Sequence, residues 1–168
     1  MTTKIYNALF ICTGNSARSI VAEAILNHLG RDRFKAYSAG SHPRREVHPL
    51  TLEVLAGQHY DVRSLRSKSW TEFAAPDAPS MDFIFTVCDR AGGEACPAWP
   101  GQPITAHWGF ADLAAVVGDR TRQLKAFANA YLQITARIRL LLALPIDKID
   151  RMSLQTQLRK LGQQRAEW

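Results

Sequence analysis

A cysteine and an arginine six positions apart are the residues of this 168-residue chain that point most directly to chemistry. Cys12 ends a short apolar run, and Arg18 stands at the start of an apolar pattern with helical spacing. A thiolate is a nucleophile, and a guanidinium fork fits the oxygens of a tetrahedral oxyanion. The pair therefore predicts a site that binds a phosphate-like anion and attacks it with sulfur.

The residues between Cys12 and Arg18 are small or polar. Gly14 and Asn15 tolerate the backbone angles that turn successive N–H groups toward one centre, and a helix N-terminus adds a dipole that favours an anion and a thiolate. The Ser19 hydroxyl can donate a further hydrogen bond to the sulfur. We expect the anion to be bound by Thr13, Gly14, Asn15, Ser16, Ala17, Arg18 and Ser19.

The apolar patterns along the chain alternate between strand and helix. They predict strands at 4–11, 33–39, 82–87 and 104–107, and helices at 19–29, 47–56, 119–144 and 147–161. This order is typical of an α/β fold with a parallel sheet covered on both faces. If the first and third strands are neighbours, as in flavodoxin-like sheets, Cys12 and Cys88 emerge side by side at the ligand-binding edge.

Composition excludes several other classes of protein. Apolar residues make up 46% and charged residues 21%, which is ordinary for a globular chain. No apolar run approaches the roughly 20 residues that span a bilayer, and no signal peptide is evident, so we expect a cytoplasmic protein. The formal charge of +6 suits nucleic acid or small anions, but the basic residues are spread without an aromatic-interleaved stripe, which disfavours nucleic acid.

The three cysteines, Cys12, Cys88 and Cys96, are too few for a structural disulfide framework. Their spacing is also not typical of zinc sites, because no C-x-x-C pair occurs. Neither G-x-G-x-x-G nor G-x-x-x-x-G-K is present, which argues against a nucleotide loop. We expect no metal and no bound cofactor.

The segment CTGNSARS (12–19) resembles the phosphate loop of low-molecular-weight tyrosine phosphatases, and more closely that of the arsenate reductases built on the same fold. SAGSHP (38–43), RSKSW (66–70), TVCDRAGGEACPAWPG (86–101) and AHWGFADL (106–113) are similar to further segments of those reductases. The resemblance covers roughly residues 4–142. It implies a three-layer α/β fold whose four parallel strands lie in the order 2-1-3-4, with helices on both faces.

The resemblance also implies roles for individual residues. Cys12 would attack arsenate, Cys88 would be the first resolving thiol, Cys96 would be a candidate third thiol, and Asp112 would protonate the leaving oxygen. Thioredoxin, or glutathione with glutaredoxin, would regenerate the thiols. We expect a single domain over 1–168, with a helical extension at about 147–168, that is a monomer or a weak dimer.

Three features depart from the family pattern, and other readings stay open. Ala17 replaces a frequent cysteine, Leu113 follows Asp112 in place of proline, and Cys96 lies eight positions after Cys88. Cys88 and Cys96 can also be incidental thiols, and Asp112 can be a helix cap. The alternative functions are a phosphatase that hydrolyses phosphate monoesters and a non-catalytic, regulatory oxyanion-binding module.

Overall fold

A parallel sheet of strands in the order β2-β1-β3-β4 lies at the centre of the protein. The computed structural model describes residues 4–87, 99, 101–111, 113 and 116–163. The strands are β1 (Tyr6–Cys12), β2 (Phe34–Gly40), β3 (Phe83–Thr86) and β4 (Ile104–His107). The predicted fold class and strand order are confirmed.

Helices connect and cover these strands. They are α1 (Arg18–Leu29), α2 (Pro49–Gly57), α3 (Thr71–Ala74), α4 (Arg120–Leu142), a short 3₁₀ helix (Ile146–Lys148) and α5 (Arg151–Gln163). None of the helices in the described ranges is both long and apolar enough to cross a membrane.

Two helices start two or more residues later than predicted, and one helix was not predicted. Helix α2 begins at Pro49 because the residue before a proline is disfavoured in helical conformation, and His48 caps it by accepting a hydrogen bond from Leu50 N–H at 3.1 Å. Pro145 is followed by the 3₁₀ helix, and the last helix starts only at Arg151, where Asp150 caps it by accepting a hydrogen bond from Ser153 N–H at 2.9 Å. The four-residue helix α3 is too short to show a periodic pattern.

The core is built on both faces of strand β1. Residues 8–11 are all fully buried, although alternate side chains of a strand point to opposite faces, so both faces of the sheet are covered here. Phe85 of the neighbouring strand stacks on Phe10 at 5.3 Å between ring centroids and lies 4.1 Å from Trp108. This packing fixes the end of β1, where Cys12 stands.

Helix α5 packs against the edge strand β4. The indole Nε1 of Trp108 donates a hydrogen bond to the Leu158 carbonyl at 2.9 Å. Gly162 approaches β4 so closely that a Cβ atom there would lie 2.0 Å from the His107 carbonyl oxygen. The last helix therefore covers an edge of the sheet that would otherwise be open to pairing with another strand.

Candidate active site

The oxyanion loop, residues 12–18, runs from the end of β1 to the start of α1. Its carbonyl groups are bonded outward, away from the centre of the loop. The carbonyls of Cys12, Thr13 and Gly14 accept hydrogen bonds from the N–H groups of residues 41, 42 and 44, and the Ser16 carbonyl accepts one from residue 48. Because the C=O and N–H groups of a planar peptide point in opposite directions, this arrangement turns loop N–H groups inward.

The Cys12 sulfur lies within this ring of donors. Asn15 N–H donates to Cys12 Sγ at 3.2 Å, and Ser19 Oγ lies 2.9 Å from the same sulfur. Cys12 is 3% exposed, so its sulfur depends on protein groups for stabilisation of charge. The loop is arranged to support a thiolate at its centre.

The Asn15 side chain determines how the Ser19 hydroxyl is oriented. Asn15 Oδ1 accepts a hydrogen bond from the Lys68 backbone N–H at 2.9 Å, which leaves the amide Nδ2 to donate to Ser19 Oγ at 2.7 Å. With its oxygen occupied as an acceptor, the hydroxyl can donate its own proton to Cys12 Sγ. Asn15 itself adopts φ 44°, a left-handed conformation that asparagine tolerates better than most residues.

A glycine opposite the loop allows the segment 38–44 to approach it. A Cβ atom on Gly40 would lie 2.6 Å from the Thr13 carbonyl oxygen and 3.0 Å from Asn15 Cβ. Any larger residue would push the oxyanion loop away from the backbone that binds its carbonyls. The SAGSHP segment predicted from the resemblance therefore has a physical role as the support of the loop.

A buried lysine and a partly buried glutamate lie next to the segment that supports the loop. Lys68 Nζ donates to Ser38 Oγ at 3.3 Å and to the Arg66 carbonyl at 2.9 Å, and it lies 3.9 Å from Glu23 Oε1. Burial raises the pKa of the Glu23 carboxyl, and the Lys68 charge opposes that rise. Burial lowers the pKa of Lys68, and the Glu23 charge opposes that fall. The pair partly offsets the cost of burying each charge.

Arg18 extends from the first position of α1 toward the segment that follows β4. Its Nη1 donates to the Phe110 carbonyl at 3.0 Å. A guanidinium has five N–H donors, so it can keep this hydrogen bond and still present a fork to an oxyanion. The residue before the helix, Ala17, has no polar side-chain atom with which to cap it. The first N–H groups of α1 are thus suited to an anionic ligand.

Other predicted site residues fall outside the described ranges. These are Cys88, Cys96 and Asp112. The last residue before the first gap, Val87, donates its N–H to the Ile11 carbonyl at 2.8 Å, so β3 leaves the sheet beside the end of β1. Within the described residues, no cluster of three or more His, Cys, Asp or Glu side chains is placed to hold a metal ion.

Comparison with known proteins identifies the family. Residues 7–107 match the model of the low molecular weight phosphotyrosine protein phosphatases. The chain belongs to this family. An arsenate reductase of Shouchella clausii is 30% identical over 130 residues, which are 77% of this chain and 90% of that protein. The resemblance to arsenate reductases built on the phosphatase fold is thereby confirmed.

Solved structures agree with this assignment. A thioredoxin-dependent arsenate reductase of Corynebacterium glutamicum superposes with a TM-score of 0.62 and 26% identity. The match covers 94% of the chain described here and 65% of the Corynebacterium protein. The chain thus spans only part of the length of the Corynebacterium protein. An arsenate reductase in the phosphate binding state gives a TM-score of 0.63 and 27% identity, and the match covers 82% of this chain and 97% of that one.

Sequence reasoning missed several residues that support the loop. Lys68, Glu23 and the Phe110 carbonyl carry no local signal, because each acts on residues far away along the chain. Lys68 lies within the RSKSW segment, whose similarity to the reductases does not indicate what the lysine contacts. Asn15 was expected to contribute its backbone, whereas its side chain also orients Ser19.

Proposed function

We propose that this protein reduces arsenate to arsenite, with Cys12 as the nucleophile and Arg18 and the loop N–H groups as the anion site. The observation that carries the proposal is the Cys12 sulfur at the centre of inward-facing donors, contacted by Asn15 N–H at 3.2 Å and Ser19 Oγ at 2.9 Å. Arsenate has the shape and charge of phosphate, so a loop of this kind accepts it.

In the first step the Cys12 thiolate attacks arsenic(V). A sulfur–arsenic bond forms, an arsenic–oxygen bond breaks, and the leaving oxygen departs as water after it takes up a proton. We assign the proton donor to Asp112 because of the family resemblance alone. The positive field of Arg18 and the helix N-terminus stabilises the oxygens of the adduct.

In the second step the Cys88 thiolate attacks Cys12 Sγ. A disulfide forms, the sulfur–arsenic bond breaks, and its electron pair stays on arsenic, which leaves as arsenite. The hydrogen bond between Val87 and Ile11 supports this role, because it holds the chain before Cys88 beside the end of β1. Cys96 is assigned to the third position, where it would take over the disulfide.

An external dithiol then supplies two electrons and restores the thiols. We assign this reductant to the thioredoxin class, because a similar structure is a thioredoxin-dependent arsenate reductase. Glutathione with glutaredoxin is the alternative, and it would need fewer thiols of this chain. Both reductant systems keep thiols reduced in the cytosol, so we propose that the reaction takes place in the cytoplasm. We further propose a single domain that acts as a monomer or weak dimer, with α5 as its extension.

The deciding experiment measures arsenite produced from arsenate by purified protein, with the thioredoxin and glutathione/glutaredoxin systems in parallel. We expect turnover by the wild type, none by Cys12→Ser, and arrest after one adduct in Cys88→Ser. Cys96→Ser tests whether Cys96 takes over the disulfide, since this change should reduce turnover with thioredoxin only if Cys96 takes part.

The phosphatase alternative is favoured by the family model that the chain matches. Hydrolysis of para-nitrophenyl phosphate by the same proteins distinguishes it. Brisk hydrolysis that survives Cys88→Ser, with no arsenite from any system, would overturn the reductase assignment. A protein that binds phosphate but turns over neither substrate would be the regulatory module.

A further inference from the structure

Arg137 is a buried charged residue on α4 that the proposed chemistry does not use. It is 7% exposed, and burial lowers the pKa of its guanidinium. Placing a cation in the interior is costly unless its surroundings compensate. One compensating group is the Phe110 ring, whose centroid lies 5.7 Å from Arg137 Cζ. This distance is within the range of a cation–π interaction.

Phe110 connects this buried guanidinium with the oxyanion loop. Its N–H donates to the Val87 carbonyl at 3.1 Å, at the end of β3. Its carbonyl accepts the hydrogen bond from Arg18 Nη1 at 3.0 Å. Arg137 therefore holds the ring of the same residue whose carbonyl orients the anion-binding arginine.

We propose that Arg137 is a positioning residue for oxyanion binding, which acts through Phe110 on the guanidinium of Arg18. The inference rests on the proposed role of the loop as the anion site. Arg137 holds the Phe110 ring, the ring fixes the Phe110 carbonyl, and the carbonyl sets the plane of the Arg18 fork. A second positive charge behind Phe110 also favours a negative charge in the loop.

This role predicts a specific effect on kinetics. If Phe110 is released, Arg18 samples more rotamers and must be ordered when the anion binds, so affinity for the oxyanion falls. The hydrogen bonds that Asn15 and Ser19 make with the Cys12 sulfur do not run through Phe110, so attack within the bound complex should change little. A rise in KM with a nearly constant kcat is therefore expected.

The test uses inorganic phosphate as the probe and the full-length protein. Phosphate should protect Cys12 from iodoacetamide, and the protection constant is read from the Cys12 peptide by mass spectrometry. In Arg137→Met we expect that constant to weaken about tenfold, with Arg137→Lys intermediate because an ammonium keeps the charge but not the planar contact. Arg139→Met, two positions away on the same helix and exposed, is the matched control and should bind phosphate as the wild type does.

A second variant separates positioning from general stability. Phe110→Leu keeps the carbonyl but removes the ring, so it should weaken phosphate protection similarly, and the double variant should be no worse than either single change. Additive effects, or a lower melting temperature in Arg137→Met with unchanged phosphate protection, would overturn the proposal. If Arg137→Met does not fold, Phe110→Leu decides by itself. Unchanged phosphate protection in Phe110→Leu would then overturn the proposal.

Failure of this inference is distinguishable from failure of the proposed function. If phosphate does not protect Cys12 in the wild type, the loop is not the anion site and both ideas fail. If phosphate protects the wild type and Arg137→Met equally well, the anion site stands and only the role of Arg137 is wrong.

Discussion

The direction of a few hydrogen bonds around Cys12 gives the site its chemical character. The Lys68 backbone N–H fixes which end of the Asn15 amide faces Ser19, and the hydroxyl proton is then directed at the sulfur. Hydrogen bonds to a charged partner are stronger than neutral ones, so these contacts strengthen when the sulfur carries a negative charge. The side chain of the same Lys68 carries a buried charge, and removal of that charge should change how the free energy of unfolding depends on pH.

Lys68→Met should destabilise the protein in a pH-dependent way. The Lys68 charge lowers the pKa of the Glu23 carboxyl, against the rise caused by burial, so its removal raises that pKa further above the ordinary value of 4.5. A carboxyl with a raised pKa binds its proton more tightly in the folded state than in the unfolded state. The free energy of unfolding therefore falls as pH rises from the ordinary pKa of 4.5 through the raised pKa of Glu23 in the folded protein. We expect a loss of about 3 kcal/mol at neutral pH that is much smaller below about pH 4.

Urea denaturation across this pH range measures the effect. Wild type should show the same slope in weaker form, and Glu23→Gln/Lys68→Met should lose the contribution of Glu23. The exposed Lys125→Met on α4 is the control and should follow the wild-type curve. An equal loss at acid and neutral pH in Lys68→Met would show that the lysine matters only for packing.

At the scale of elements, the last helix completes the sheet. Helix α5 lies on the edge strand β4, with the Trp108 indole bonded to the Leu158 carbonyl and Gly162 against the His107 carbonyl. Strand β4 leads directly into the segment that carries Phe110, whose carbonyl binds Arg18. Helix α5 therefore supports the site indirectly, by packing on the strand that leads to Phe110.

Gly162→Ala should lower the melting temperature although alanine favours helix. A Cβ atom there would lie 2.0 Å from the His107 carbonyl oxygen, so α5 must shift away from β4. We expect a cost of about 2 kcal/mol, or about 4–8 °C in Tm. Gly57→Ala is the matched control, because a Cβ there meets nothing within 4 Å and should leave Tm unchanged or slightly raised. Thermal unfolding of both variants decides, and equal shifts would contradict the contact.

At the scale of the whole molecule, the chain carries a formal charge of +6. Several surface arginines are neutralised by carboxylates, including Arg63 by Asp61, Arg66 by Glu72 and Arg120 by Glu53. The Arg44 side chain, in contrast, lies against Gly14, where its Nε would be 3.2 Å from an added Cβ. The excess positive charge should therefore draw anions toward the oxyanion loop.

The value of kcat/KM for arsenate should fall as sodium chloride is added. Between about 0.02 and 0.2 M salt we expect a loss of roughly two- to threefold, because screening shortens the reach of the field. Arg44→Gln should reduce this dependence. Arg31→Gln is the matched control, because Arg31 lies beyond the far end of α1, about 18 Å along the helix from the loop. A salt slope that is identical in both variants would exclude local steering by Arg44.

Much of the fold and part of the site could be predicted from the sequence. The strand order followed from the alternation of elements together with the family resemblance, and the position of Cys12 at a strand end followed from the apolar run before it. The starts of α2 and α5 were predicted less well, because Pro49 and the Asp150 cap act within a few residues, whereas periodicity is averaged over several turns. The roles of Cys88, Cys96 and Asp112 stay predictions.

The sequence by itself determined the Cys-x5-Arg loop, the α/β class and the family, since each depends on neighbouring residues or on quoted motifs. Only the tertiary structure decided which groups orient the loop. Lys68 binds Asn15 across 53 positions of the chain, and Phe110 binds Arg18 across 92. Such contacts depend on how strands and helices pack, and no local pattern encodes them, because a residue is chosen for its neighbours in space and not only for those along the chain.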